Sequence, residues 1–174
     1  MKGQKALYGA LIFAGLMALG GNVTVPLGAV PFVLSDFFVV LSALVLGARF
    51  GVLSVGIYLC LGAVGLPVFA DGSGGAEHFV GPTGGYLLGF LIAAFVVGRI
   101  SELPPQTIWK DFAAGFTGYL TIYVLGVSGL VLIAELPLGT AIQVGALDFL
   151  FPMSMKVTVS VLLAQVIRMG LNNR

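Results

Sequence analysis

The chain is 174 residues long, 59% hydrophobic and 9% charged, with a mean hydropathy of +1.11 and a formal net charge of +1. Soluble domains carry roughly a quarter of their residues as charges, so a soluble globular fold is excluded, and so small and dispersed a charge offers nothing to nucleic acid. The length suits one domain over 1–174, a single compact bundle of membrane crossings.

A helical crossing takes about 20 mostly apolar residues, with a range of about 17–25. Six runs meet or approach that length: 6–21, 31–48, 51–66, 83–100, 111–133 and 151–169. The first follows Lys2 and Lys5 but shows no small-x-small cleavage site ahead of a polar region, so it reads as a retained helix rather than a signal peptide. On it Ala6, Ala10, Ala14 and Ala18 recur every four residues and form a slowly precessing stripe. Small residues let helix backbones approach closely in lipid. The stripe therefore serves either packing within the bundle or docking of a separate membrane subunit.

The second run carries Asp36 near its outer end, placed either to cap the helix or to face a cavity. The third carries Cys60, the single cysteine, read as a packing residue. Between the third and fourth runs lies GLPVFADGSGGAEHFVGPTGGYLLGF (65–90), with seven glycines from Gly65 to Gly85. Glycine permits backbone conformations closed to other residues and close approach to a ligand. Irregular backbone at membrane depth survives only where protein or a watery cavity satisfies it. This stretch is read as a lid or re-entrant loop over an outward-facing pocket, with a flexible surface loop as the plainer alternative. Thr83, Gly84 and Gly85 open the next helix, whose free N–H groups suit a polar or anionic group. His78 has no second His or Cys nearby, so no metal is expected, and it is read with Glu77 as a solvated lid residue. The segment 134–150, punctuated by Pro137 and Gly139, is a candidate for a short interfacial helix.

The sixth run contains Lys156, in FPMSMKVTVSVLL. An ammonium within a crossing marks a functional site by default. It either snorkels to the outer interface or pairs with Asp36, Asp148 or a ligand carboxylate. The other cations are Lys2, Lys5, Arg49, Arg99, Lys110, Arg168 and Arg174, and with six crossings all seven share one side. The positive-inside rule then sets both termini in the cytoplasm of a multi-pass cell-membrane protein. No P-loop, GxSxG, HExxH or paired-carboxylate motif is present, so neither an enzyme nor a nucleotide-driven motor is expected.

Three segments, AVPFVLSDFFVVLSALVLG (29–47), GAVGLPVFADGSGG (62–75) and GPTGGYLLGF (81–90), resemble the BioY proteins, the biotin-binding S components of energy-coupling factor transporters. The likeness runs in order through almost the whole chain. It implies an all-α integral membrane protein, a six-transmembrane-helix bundle of the S-component type with a Gly-rich loop between helices 3 and 4. It also implies no cofactor, an outward-facing substrate site, and an ATPase pair recruited through a transmembrane coupling subunit that contacts the Ala6, Ala10, Ala14 and Ala18 motif. Two departures stand out: Ser35 replaces the Gln of the relatives' VPFTLQ, and Met153 stands where relatives often carry an Asp three residues before the last-helix Lys.

The resemblance implies a site for biotin, or a similar small carboxylate, drawn from Phe32, Ser35, Asp36, Phe69, Asp71, Gly74, Thr83, Gly84, Gly85, Tyr86, Met153 and Lys156. Phe37 and Val68 would add to its apolar walls. Lys156 would neutralise a carboxylate or donate to a carbonyl, while Asp36, Ser35 and the glycine-rich segment hold the polar ends. The competing readings are an S component for another acidic cofactor precursor, lipoate foremost because Met153 suits a dithiolane, and a non-transporting membrane scaffold.

Overall fold

The computed structural model describes residues 3–25 and 30–172. Helix α1 (Gly3–Gly21) ends at its own diglycine, where the Asn22 side-chain amide donates to the Ala18 carbonyl at 2.9 Å. Strands β1 (Thr24–Val25) and β2 (Phe32–Val33) pair antiparallel, Thr24 opposite Val33. The long helix α2 (Ser35–Ala63) leads into an irregular stretch containing a 3-10 turn at Ala70–Gly72 and the one-turn α3 (Glu77–Val80). Helices α4 (Gly84–Glu102) and α5 (Ile108–Leu132) follow, separated by Pro104 and Pro105, which supply no backbone donors. The Thr107 hydroxyl caps α5 by accepting the Lys110 N–H. Helix α6 (Leu138–Gly145) and α7 (Leu150–Asn172) close the chain. The segment expected to hold a short interfacial helix contains a short helix, α6.

Among the described residues four stretches are long and apolar enough to cross a membrane: Ser35–Ala63, Gly84–Glu102, Ile108–Leu132 and Leu138–Leu171. Helix α1, diluted by Gln4, Lys5 and its glycines, falls outside that group. Helix α2 is not straight. Gly47 leaves helical geometry at φ 78°, ψ −180°, a region open essentially to glycine alone. A Cβ built on Gly51 would lie 2.8 Å from the Ala43 Cα. Eight residues of unbroken helix would separate those positions by about 12 Å. The chain therefore folds back on itself at Gly47, and the two arms of α2 lie side by side.

Glycines set the remaining seams. A Cβ on Gly20 would sit 2.9 Å from the Ser35 nitrogen, and one on Gly9 would sit 2.8 Å from the Leu46 side chain, so α1 runs antiparallel to the first arm of α2. Gly89 against Ile122 and Gly85 against Gly129 bring α4 and α5 together antiparallel. Ala6, Ala10 and Ala14 are buried and Ala18 is half-buried, while Leu7, Tyr8, Leu11 and Ile12 face outward. The alanine stripe thus lies inside the chain's own α1–α2 seam, the packing alternative, and not on the outer surface. Cys60 departs from its expected packing role, for it is exposed on the flank of α2.

The break at Gly47 leaves two backbone groups without helical partners, and two charges take them. The Ala48 N–H donates to Glu102 Oε1 at 2.9 Å. The Leu44 carbonyl accepts from the Arg168 guanidinium through Nε at 3.1 Å and through Nη2. An acid at a helix start and a cation at a helix end both suit the backbone dipole. Arg168 Nη1 also pairs with Asp111 Oδ2 at 2.7 Å, Nη2 donates to the Ser101 hydroxyl, and Gln165 donates to Asp111 at 2.8 Å. This polar knot joins α2, α4, α5 and α7 at the end of the bundle that also carries Arg49, Arg99 and Lys110.

Candidate functional site

At the opposite end a cavity of about 330 Å³ opens between β2, the start of α2, the glycine-rich stretch, α4, α5 and α7. That volume is at the low end of the ~300–1,000 Å³ typical of small-molecule sites. Its walls are largely aromatic and aliphatic, and its polar groups are few.

The strongest of these is an ion pair. Lys156 Nζ lies 2.7 Å from Asp36 Oδ1 and 2.9 Å from Oδ2, and donates to the Val33 carbonyl at 2.7 Å. It also sits 3.8 Å from the centroid of the Phe32 ring. Both residues are under 10% exposed. The ammonium's three donors are therefore spent within the protein. Asp36 serves both expected roles, since its Oδ1 accepts the Phe37 N–H at 2.7 Å in the first turn of α2 while its carboxylate lines the cavity. Asp148 takes no part; it accepts from Gln143 at 2.7 Å. Lys156 does not snorkel to the outer interface. A half-satisfied buried charge is costly, and Asp36 already supplies the neutralisation expected from a ligand.

The glycine-rich stretch folds down as a roof. Phe69 is its plug: buried, it meets Tyr58, His78 and Phe79 edge-on at 5.6, 5.4 and 5.9 Å. Gly62 beneath it has no room for a Cβ. Asp71 lines the cavity, but its carboxylate accepts the Thr24 hydroxyl at 2.6 Å and so ties the roof to the β1–β2 hairpin. Asn22 ties it again by donating to the Pro67 carbonyl at 3.1 Å. Tyr86 lines the wall and donates to the Gly145 carbonyl at 2.8 Å, fixing α6 over the end of α4.

Of the residues expected at the site, Phe32, Ser35, Asp36, Phe69, Asp71, Thr83, Tyr86 and Lys156 all line this cavity. Gly74, Gly84, Gly85 and Met153 do not. The three glycines are spacers, pressed against the Leu66 carbonyl, the Phe79 carbonyl and the α5 backbone at Leu125. Met153 packs half-buried against the core away from the cavity. Val68 is core, and Phe37 faces a separate apolar groove shared with Leu34, Phe151, Pro152 and Met155. Tyr58, Tyr123, Phe149, Ser73 and His78 line the cavity without having been singled out as ligand contacts. The tyrosines offered a signal, because a phenol in an apolar run must find a polar partner or a wet surface. His78, read as solvated, is half-buried beside Phe69. Among the described residues no group of three or more His, Cys, Asp or Glu could hold a metal.

Residues 2–173 match the sequence profile of the BioY family. The chain belongs to the BioY family. It is 45% identical over 161 residues to the biotin transporter BioY of Thermotoga maritima, covering 92% of this chain and 94% of that one. It is 38% identical over 154 residues to a probable biotin transporter BioY of Pyrococcus horikoshii, covering 88% and 90%. A crystal structure described as the S-component for biotin from an ECF-type ABC transporter superposes with a TM-score of 0.87 at 26% identity, covering 97% of this chain and 94% of the other. As a BioY protein the chain is a multi-pass membrane component of transport and not an enzyme.

Proposed function

We propose that this BioY chain is the substrate-binding S component of an energy-coupling factor transporter and captures biotin from the outer side of the cell membrane. The observation that carries the reading is the buried Lys156–Asp36 pair in the wall of an otherwise apolar cavity. An ion pair presents a donor and an acceptor side by side. The ureido ring of biotin presents the complement, two N–H donors flanking a carbonyl. Asp36 accepts an N–H, and Lys156 turns a donor from the Val33 carbonyl to the ureido oxygen. The bicyclic body and aliphatic tail lie among Phe32, Phe69, Tyr86 and Phe90. The carboxylate reaches the mouth, where Ser73, His78 and Thr83 stand.

Placing the carboxylate on Lys156 would set it beside the Asp36 carboxylate, and like charges at that range repel. Lipoate has no ureido group, so the pair offers its dithiolane no partner.

The same reading assigns six crossings: α1, the two arms of α2, α4, α5 and α7, with the glycine-rich loop after the second α2 arm as the roof. On this reading the cations at the Gly47 end face the cytoplasm, and both termini lie there with them. Transport energy comes from an ATPase pair reached through a transmembrane coupling subunit. Contact through Ala6, Ala10, Ala14 and Ala18 requires α1 to part from α2, because the stripe faces inward in this conformation.

Calorimetric titration of the purified chain with biotin and with lipoate tests the function. Submicromolar biotin binding with lipoate at least tenfold weaker is the expected result. Tighter binding of lipoate would reassign the substrate. Binding of neither ligand, alongside a stable complex with partner subunits, would favour a scaffold.

A further inference from the structure

We propose that Arg168 is a positioning residue for the outer cavity: from the far end of α7 it sets the height and rotation that hold Lys156 on Asp36. This rests on the functional reading above for its ligand but not for its geometry.

Four observations converge. First, the α7 stretch is the least embedded of the four long apolar segments, with 28% of its most apolar window buried against 61% for α2. Lipid competes with protein for apolar surface, so packing and polar contacts must place such a helix. Second, an open apolar groove lined by Phe37, Phe151, Pro152, Met155 and Lys156 itself runs along the outer ends of α2 and α7, so packed side chains do not enclose Lys156 on that side.

Third, α7 is fastened to the same α2 arm twice, by Lys156 on Asp36 at one end, where it also reaches Val33 of β2, and by Arg168 on the Leu44 carbonyl at the other. That carbonyl is free for Arg168 only because α2 breaks at Gly47 and the Ala48 N–H turns to Glu102. Fourth, the guanidinium is held in its plane by Asp111 at 2.7 Å and by Ser101, both 3% exposed. A planar fork fixed on two sides defines a direction as well as a distance. Lys156 stands twelve residues along α7, about 18 Å from Arg168. Slippage of α7 by one residue would turn it by about 100° and carry the ammonium off Asp36.

The test is a double-mutant cycle read by biotin titration of the full chain. Arg168→Gln should weaken biotin about tenfold in the native background. In the Lys156→Met background it should weaken residual binding less than twofold, because there is no ammonium left to place. Equal losses in the two backgrounds would show a general loss of fold, and an unaltered Arg168→Gln affinity would show no positioning; either overturns the proposal. Should Arg168→Gln not yield folded protein, Gln165→Leu removes one support of Asp111 and should give a smaller loss, about threefold, that likewise vanishes without Lys156.

A ligand-free measurement separates this inference from the identity of the substrate. Spin labels replacing the exposed Leu19 and Phe151, in a Cys60→Ala chain, report the distance from α1 to the outer end of α7. Arg168→Gln should broaden that distribution. An unchanged distribution overturns the proposal even where biotin binds, and a broadened one upholds it even where biotin does not.

Discussion

Lys156 is held inside an apolar bundle by Asp36, the Val33 carbonyl and the Phe32 ring, and still lines the cavity. The pair is neutral as a unit, which bears on both stability and selectivity. Removing one partner leaves a buried charge uncompensated, at a cost of about 3–5 kcal/mol. Asp36→Asn and Lys156→Met should each lower the detergent melting temperature markedly. The double variant should be clearly more stable than the sum of the single losses predicts, yet fail to bind ligand. Additive losses would show that the two residues act independently. Sequence alone marked Lys156 and Asp36 as anomalies in apolar runs, since charge in such a setting is conspicuous. It did not single out Tyr58, Tyr123 or Phe149 as cavity residues, because an aromatic facing a cavity and one facing lipid read alike in a hydrophobic segment.

At the scale of the element, the decisive feature is the fold-back of α2. Gly47 combines a backbone geometry closed to other residues with a site where a Cβ would collide with the Glu102 carboxylate. Gly47→Ala should therefore destabilise the protein by at least about 2 kcal/mol, combining backbone strain of about 1–3 kcal/mol with displacement of the Glu102 cap. Thermal unfolding monitored by circular dichroism would check this, and a native-like melting temperature would contradict it. The break was legible only to within a few residues: the runs 31–48 and 51–66 set it at 49–50, just past Gly47, because Arg49 and Gly51 punctuate the sequence as strongly as Gly47 does. The β1–β2 pairing left no such mark, because it takes only two residues from each strand. The knot of Leu44, Ser101, Asp111, Gln165 and Arg168 left none either. Its members come from four helices, and Arg168 is equally well explained as a cytoplasmic anchor until its partners are seen.

At the scale of the whole molecule, the charged side chains among the described residues gather at two ends, with a largely apolar stretch between them. One end carries the ion pair and the glycine-rich roof; the other carries the Arg168 knot and the exposed cations. The proposed orientation predicts that an impermeant thiol reagent applied to intact cells will label a cysteine placed at Glu77. The same reagent should spare one placed at Lys110 until the membrane is opened. The reverse pattern would invert the topology.

The doubling-back at Gly47 also governs parity. Read as hydropathy alone, Ser35–Ala63 is one continuous rod. Were it so, every segment downstream would traverse the bilayer in the sense opposite to that of the proposed six-crossing topology. The roof would hang on the face that now bears Arg99 and Lys110, and Asp36 and Lys156 would be left on opposite leaflets. In the proposed topology a single residue without a side chain thus decides which compartment the mouth of this protein can sample.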